Sequence, residues 1–193
     1  ARIPPQWGAA GRIPFLLGTD EQGRDVFSAI LYGLRISLTV GVLGVVFSGA
    51  LGIVLGLIAG YFGGAVDTLI MRIADVQLTF PAILVALLID GVVRGIISVQ
   101  RHDEIAIYVI VGAIGLSFWV QYARTVRGSV MVEKNKDYVA AAQLIGLPAP
   151  VIMLRHVLPN AMGPILVIAT INLALAIITE ATLSFLGVGL PVT

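Results

Sequence analysis

The chain has 193 residues, of which 58% are hydrophobic and 12% are charged, and its mean hydropathy is +1.00. Soluble domains carry charge on about 25% of their residues, so this composition indicates an integral membrane protein and argues against a soluble helical core. A net charge of +1 gives no reason to expect a nucleic-acid partner. The lack of cysteine excludes disulfides, thiolate metal sites and cysteine nucleophiles.

The first 35 residues form a lead segment that contains proline, glycine and charged residues. Thr19 and Asp20 are candidate helix N-caps, and apolar residues then recur at helical spacing from Phe27 to Leu34. This spacing predicts an amphipathic helix that lies on the membrane surface before the first span. No signal peptide precedes the first apolar run, and we expect both ends to be truncated relative to the natural protein.

Four apolar stretches are candidates for membrane spans, because a helix needs about 20 residues to cross the hydrocarbon core. They make residues 36–193 a helical membrane core. The predicted spans are residues 36–61, 80–97, 105–130 and 159–186. Asp90 and Arg94 interrupt the second span one turn apart and are expected to pair, and Arg101–Glu104 is predicted to be a loop.

Glycines repeat every four residues in the first span, at Gly52, Gly56 and Gly60. Lipid supplies no hydrophobic force between helices, so their association depends on close packing of small residues. We interpret this stripe as a face against which another helix packs.

Residues 133–158 connect the last two predicted spans and are called the coupling segment. A short helix is predicted from Asp137, whose charge suits a helix N-terminus. Gly146 can adopt the left-handed conformation that ends a helix, and Pro148 prevents its continuation. Pro159 can open the next helix without loss of a hydrogen bond.

The coupling segment resembles the EAA loop of ABC-importer permeases. That pattern runs Glu-Ala-Ala, three residues, Gly, nine residues, an apolar residue, any residue and Leu-Pro. Ala140 stands where the family often has Glu, and His156 occupies the apolar position. The residues that fall on the spacing are Ala141, Ala142, Gly146, Leu158 and Pro159.

Other segments resemble one subtype of these permeases, the second permease of dipeptide and oligopeptide importers, which has nickel and glutathione relatives. Together they cover most of residues 17–190. The segments are Leu17–Val26, Tyr32–Leu38, Gly63–Asp67, Met71–Asp75, Phe80–Pro81, Arg155–Asn160 and Glu180–Gly187.

The resemblance implies an all-α transmembrane domain of a type I ABC importer in a bacterial inner membrane. Such permeases have six spans, of which four would lie in this sequence. Lysine and arginine are equally divided between the two sides, so the positive-inside rule does not decide the orientation. The resemblance does: it places the coupling segment in the cytoplasm and residues 1–35 outside.

The implied function is to form a translocation path for di- or oligopeptides and to couple it to separate ATPases. The implied partners are a sister permease, two ATPases that bind ATP and Mg²⁺, and an extracytoplasmic binding protein. The implied coupling residues are Asp137, Ala141, Ala142, Gly146, Arg155, His156, Leu158 and Pro159.

The sequence carries no catalytic constellation of its own, so we expect a transport subunit and not an enzyme. It has no phosphate-binding loop, and His102 and His156 are predicted on opposite sides of the membrane, which leaves no shared metal site. Glu180 is the one acid deep in an apolar span, where it would either line the path or make a structural hydrogen bond.

Other functions remain open. The same fold could import nickel chelates or glutathione, and a passive channel or membrane scaffold would not need the EAA spacing. A membrane-embedded hydrolase lacks a nucleophile and base pair in this sequence.

Overall fold

The computed structural model describes residues 15–96 and 99–188, and its contacts divide the chain into two units that meet at Thr39 and Val40. Beyond the loop at residues 15–25 and the short turns between helices, the described residues are helical. The loop contains a single bridge, between Thr19 and Asp25. Short π-helical segments, Ile152–Val157 and Ser184–Val188, flank the last helix. The helices are α1 (Val26–Phe62), α2 (Gly64–Leu78), α3 (Ala82–Ile96), α4 (Val99–Glu133), α5 (Asp137–Leu144), α6 (Ala149–Val151) and α7 (Leu158–Leu183).

The first unit contains a tight loop ahead of α1. The backbone N–H groups of Gln22 and Arg24 donate to Asp20 Oδ1 at 2.8 and 2.9 Å, and Arg24 Nε donates to Oδ2. These bonds, the Arg24 backbone N–H foremost, lower the pKa of Asp20. Asp25 carries the cap of α1 by accepting from the Ser28 N–H at 3.1 Å, so the N-cap predicted at Thr19 or Asp20 was wrong.

The surface helix predicted at Phe27–Leu34 is not a separate element. It is the first part of α1, which runs without a break from Val26 to Phe62. No proline interrupts this stretch, so the backbone hydrogen bonds continue from the amphipathic turns into the apolar ones.

Helices α1 and α4 run side by side in the same direction. A Cβ atom added at Gly44 would lie 2.8 Å from Ile114, and one added at Gly60 would lie 2.8 Å from Val130, so the contact advances equally along both helices. Helix α7 runs the opposite way, because the early Gly41 of α1 faces the late Ile177 of α7.

The parallel arrangement of α1 and α4 requires the intervening chain to cross the membrane once. Helices α2 and α3 together are long and apolar enough to be the candidate for this crossing, with an angle of 89° between them. Helix α3 alone has 15 residues, about 22 Å, which is less than the roughly 30 Å of the hydrocarbon core. The second span was predicted as residues 80–97, and those bounds stay a prediction.

The predicted loop at Arg101–Glu104 is also wrong, because α4 already begins at Val99. Charged residues other than aspartate are good helix formers, so their cluster marks the polar end of the helix and not a break in the backbone. The predicted pair at the end of α3 is present, with Arg94 Nε 2.6 Å from Asp90 Oδ2.

The glycine stripe of α1 faces α4. A Cβ at Gly56 would lie 2.6 Å from the backbone oxygen of Ala123 and 2.7 Å from Val126 Cβ. A Cβ at Gly60 would be similarly close to Val130, and Gly52 abuts Tyr122. The two backbones therefore approach each other at a distance that only glycine permits.

Polar contacts hold α2 against α4. Arg127 makes a two-pronged pair with Asp67, one bond of which measures 2.6 Å, and Arg124 lies 2.5 Å from Asp75. Trp119 Nε1 donates to Gln77 Oε1 at 2.6 Å. These contacts run in opposite order along the two helices, so α2 is antiparallel to α4.

Substitution of Gly56 by alanine should destabilise the bundle, because the new methyl group meets backbone that cannot rotate away. We expect a cost of about 1–3 kcal/mol, seen as a thermal midpoint several degrees lower for the full-length permease in detergent. Gly91→Ala is the control, since a Cβ there meets nothing within 4 Å. Equal thermal midpoints for the two variants would show that α1 and α4 are not closely packed at Gly56.

Candidate ATPase-coupling site

The coupling segment, residues 133–158, forms a helix, a glycine turn and a second helical stretch. Helix α5 ends at Leu144, and Gly146 in the turn that follows has a φ of 80°, the left-handed conformation predicted from the sequence. The N–H of Leu147 donates to the Ala142 carbonyl at 3.1 Å, and the N–H of Gly146 donates to the Gln143 carbonyl at 3.0 Å. This is a Schellman motif, which ends the helix with its last carbonyls satisfied.

One face of the segment packs onto the membrane helices of its own chain. Val139 and Ala142 of α5 are buried together with Ile152 and Val157. They share a hydrophobic cluster with residues of α1, α4 and α7, namely Leu57, Tyr122, Val126, Val130, Ala161 and Ile165. Ala142 is 4% exposed, so its small side chain fits α5 onto this bundle, whereas the sequence interpretation had assigned it to a partner.

The remaining predicted coupling residues are more accessible, although Leu158 also packs against this cluster. Two of them, His156 and Leu158, are half-buried. The exposed ones are Asp137, Ala141, Gly146, Arg155 and Pro159.

An apolar tip lies beside the glycine turn, and two of its residues, Leu144 and Ile145, were missed in the sequence. Leu144 is 88% exposed, Ile145 is 75% exposed and Leu154 is 60% exposed. The signal was available, since two large apolar residues directly precede the glycine that ends a predicted surface helix. Together with Ala141 they give the segment an outward surface that a partner could cover.

A polar network fixes α5 to the helices on either side of it. Glu133, at the end of α4, accepts from Tyr138 Oη at 2.5 Å and from Lys136 Nζ at 2.7 Å. The Tyr138 hydroxyl in turn accepts from Asn160 Nδ2 of α7 at 3.2 Å, and the same amide reaches the His156 carbonyl at 2.7 Å. One tyrosine therefore links α4, α5 and α7.

The protonation of Tyr138 favours this link. Burial, and then its hydrogen bond to the Glu133 carboxylate, raise the pKa of the Tyr138 hydroxyl. Because the folded-state pKa lies above the ordinary value of about 10, the hydroxyl keeps its proton at all pH values below that. The link should thus be insensitive to pH over the physiological range.

Lys134 connects the segment to α1 as well. Its Nζ donates to the carbonyl of Gly60 at 2.7 Å and approaches that of Tyr61 at 3.4 Å. These carbonyls are in the last turn of α1, where a positive charge complements the helix dipole. The sequence offered only a lysine in a loop, and no pattern in it named the end of α1 as the partner.

Pro159 lies in the first turn of α7, as had been predicted, but no loop precedes that helix. The chain is helical from Ala149 onward and reaches α7 through the π-helical segment Ile152–Val157. A proline lacks the N–H for a regular helix and crowds the carbonyl four residues earlier. The wider π-helical turns just before Pro159 accommodate both effects, so the helix bypasses the proline without ending.

Glu180 lies near the end of α7 that is far from the coupling segment. It is 4% exposed and accepts from Ser184 Oγ at 3.0 Å, one turn later. This bond fits the structural alternative, since an acid at this depth needs a donor. Among the side chains that the structure describes, those of residues 15–96 and 106–186, no three from His, Asp or Glu are grouped closely enough to hold a metal ion.

Residues 52–193 match the model of the family described as "Binding-protein-dependent transport system inner membrane component". Among similar proteins, the di/tripeptide transport system permease protein DppC of Pseudomonas aeruginosa is 41% identical over 96% of this chain and 58% of its own. The dipeptide permease DppC of Haemophilus influenzae is 37% identical over 97% of this chain and 60% of its own. The glutathione permease GsiD of Pectobacterium atrosepticum is 39% identical over 90% of this chain and 54% of its own.

This chain therefore spans a little over half the length of these relatives. Among solved structures, a chain from an amino acid ABC transporter crystallised with histidines superposes with a TM-score of 0.58 at 19% identity. The match covers 86% of this chain and 79% of that one. The fold is accordingly that of a type I ABC-importer transmembrane domain, in a multi-pass protein of the inner membrane. The chain belongs to the family of binding-protein-dependent transport system inner membrane components.

Proposed function

We propose that this chain is the permease subunit of an ATP-driven importer, that it forms part of the translocation path for di- or oligopeptides, and that it is not itself an enzyme. The observation that carries the proposal is the coupling segment. It is exposed on one face, ends in an apolar tip at Leu144 and Ile145, and is fixed to three membrane helices on its other face. A surface helix held this firmly is suited to receive a force and pass it to the spans.

The partners follow from that function. Two ATPases bind ATP and Mg²⁺ and supply the movement, a sister permease completes the path, and an extracytoplasmic binding protein delivers the cargo. The family description supports the dependence on a binding protein. The absence of a phosphate-binding loop in the sequence supports the location of ATP hydrolysis in another chain.

The geometry suggests how the segment works. An ATPase groove encloses the apolar tip and the turn at Gly146. Movement of the tip carries α5 as a unit, because its buried face and Tyr138 tie it to α4 and α7. The π-helical segment Ile152–Val157 then lies where the force enters α7, at a place where helices bend readily.

Peptides are the cargo best supported by the similar proteins, several of which are named as peptide permeases. Glutathione, itself a tripeptide, is the second candidate because of the 39% identical glutathione permease. Import of nickel chelates is supported only by the resemblance to the permease subtype that has nickel relatives. A passive channel would not require the fixed coupling segment.

The direct test is uptake by the full-length permease, reconstituted with its sister permease, ATPases and binding protein in proteoliposomes. We expect uptake of a labelled dipeptide that needs ATP and the binding protein. Uptake of glutathione in place of peptides would assign the second cargo. Uptake without ATP would contradict the proposal and favour a passive channel.

Replacement of both tip residues, Leu144→Ser with Ile145→Ser, should release the ATPases. Burial of two large apolar side chains at the contact would be lost, and we expect binding of the ATPases to weaken about tenfold or more. The measurement is retention of the ATPases on the affinity-purified permease. Leu16→Ser, at an exposed leucine of the lead segment, should retain them; equal retention by the tip variant would remove the tip from the interface.

Tyr138→Phe should loosen the link between α5 and the spans while leaving the hydrophobic contact in place. It removes the bond donated to Glu133 and the one accepted from Asn160. We expect fewer peptides transported per ATP hydrolysed, with the ATPases still bound. Tyr32→Phe, at an exposed tyrosine of α1, is the control, and an unaltered ratio in Tyr138→Phe would mean that the network does not transmit force.

A further inference from the structure

Helices α1 and α2 meet at a short turn, and residues 60–67 around it are called the α1–α2 corner. Gly63 and Gly64 have φ values of 65° and 56°, in the left-handed region that glycine adopts readily. The N–H of Gly63 donates to the Ala59 carbonyl at 3.0 Å, and the N–H of Asp67 donates to the Gly63 carbonyl at 3.2 Å. Only Gly63 separates the two helices, so the end of α1 sets the start of α2.

A lysine of the coupling segment lies beside this corner. Lys134 Nζ donates to the Gly60 carbonyl at 2.7 Å and lies 3.4 Å from the Tyr61 carbonyl. A Cβ atom added at Gly63 would lie 3.9 Å from the same nitrogen, so the ammonium group is next to the turn itself. The last turn of α1 has no basic side chain of its own, and Lys134 supplies the positive charge that a helix C-terminus favours.

An arginine of α4 holds the other side of the corner. Arg127 makes two bonds to the carboxylate of Asp67, one of which measures 2.6 Å. The Asp67 side chain is 16% exposed, so water screens this pair less than it screens an ion pair on the surface. The charge of Lys134 acts on the same carboxylate. One acid in the first turn of α2 therefore interacts with both α4 and the coupling segment.

We infer that Lys134, Asp67 and Arg127 are positioning residues that hold the start of α2 to the coupling segment. The inference rests on the proposed function, in which force passes from the segment to α4 and α7. It adds α2 and α3, the bent pair, to the helices that receive this force.

The route from α5 to the corner is short. Glu133 accepts the hydrogen bond from Tyr138 of α5, and Lys134 is the next residue in the chain. A displacement of α5 that shifts Glu133 also shifts Lys134, and with it the end of α1 and the first turn of α2. Lysine suits this task, because its flexible stem and three donors keep the carbonyl bonds while the corner moves.

Lys134→Met removes the two carbonyl contacts and the charge but keeps an unbranched side chain. In the full-length permease, reconstituted with its sister permease, ATPases and binding protein, we expect the ratio of peptide transported to ATP hydrolysed to fall at least about twofold. Lys134→Arg, which still donates to carbonyls, should restore most of the ratio. Arg72→Met removes an exposed cation of α2 and is the control that keeps it.

Two results with Lys134→Met would overturn the inference. One is an unchanged ratio of transport to hydrolysis. The other is loss of the ATPases from the purified complex, which would place Lys134 in the ATPase contact and not at the corner.

A double-substitution cycle shows whether Lys134 acts through α2. Asp67→Asn keeps the shape of the side chain and removes the charge that Arg127 and Lys134 face. If the residues act together, Asp67→Asn lowers the ratio, and the double variant with Lys134→Met is no worse than the stronger single variant. Losses that multiply in the double variant would contradict a shared route.

Folding and the proposed function are checked in the same samples. Variants are compared at an unchanged thermal midpoint, and Asp67→Asn decides the matter if Lys134→Met does not assemble. Uptake by the unsubstituted complex without ATP would refute the proposed function and this inference with it. Uptake that needs ATP, with an unchanged ratio in Asp67→Asn, would refute this inference alone.

Discussion

The close contact between α1 and α4 is the interaction on which the rest of the structure depends. Glycines at positions 52, 56 and 60 let the two backbones meet, and the contact advances equally along both helices. Because the helices are parallel, the chain between them must return across the membrane. The bent pair α2 and α3 is the candidate for this return. Helix α2 is held to α4 by the pairs Asp67–Arg127 and Asp75–Arg124.

The same contact builds the platform for the coupling segment. Leu57 of α1 and Val126 and Val130 of α4 form the surface on which Val139 and Ala142 of α5 are buried. Lys134 adds a bond to the end of α1. These contacts connect the exposed tip to the α1–α4 pair and, through Tyr138 and Asn160, to α7, which is the route that the proposed function requires for a force applied at the tip.

The packing face of α1 and the end of α5 could be predicted from the sequence, because one physical rule was sufficient for each. The glycine period of α1 indicated a packing face, and Gly146 followed by Pro148 indicated the end of α5. The prediction failed where two rules competed. Charge at Arg101–Glu104 suggested a loop, but the backbone stays helical. Pro159 does lie in the first turn of α7, but π-helical turns join that helix to the residues before it, so the chain has no break there.

The contacts within the candidate site were less predictable. Whether Ala142 faces a partner or its own bundle depends on how α5 is rotated about its axis. Three consecutive small residues, Ala140–Ala142, cover most of one helical turn and therefore do not indicate which face is buried. The network of Glu133, Tyr138 and Asn160 joins residues up to 27 positions apart on three elements, and no local pattern connects them. Such contacts follow from packing.

The central claim is that closure of the ATPases reaches the spans through the rigid turn at Gly146. The most direct measurement is the ratio of peptide transported to ATP hydrolysed by Gly146→Val in the reconstituted complex. Valine is strained at a φ of 80°, so the turn should reshape while the spans stay folded. We predict that the ratio falls sharply and that Gly128→Val, at an exposed glycine of α4, keeps it. A normal ratio in Gly146→Val would contradict the account.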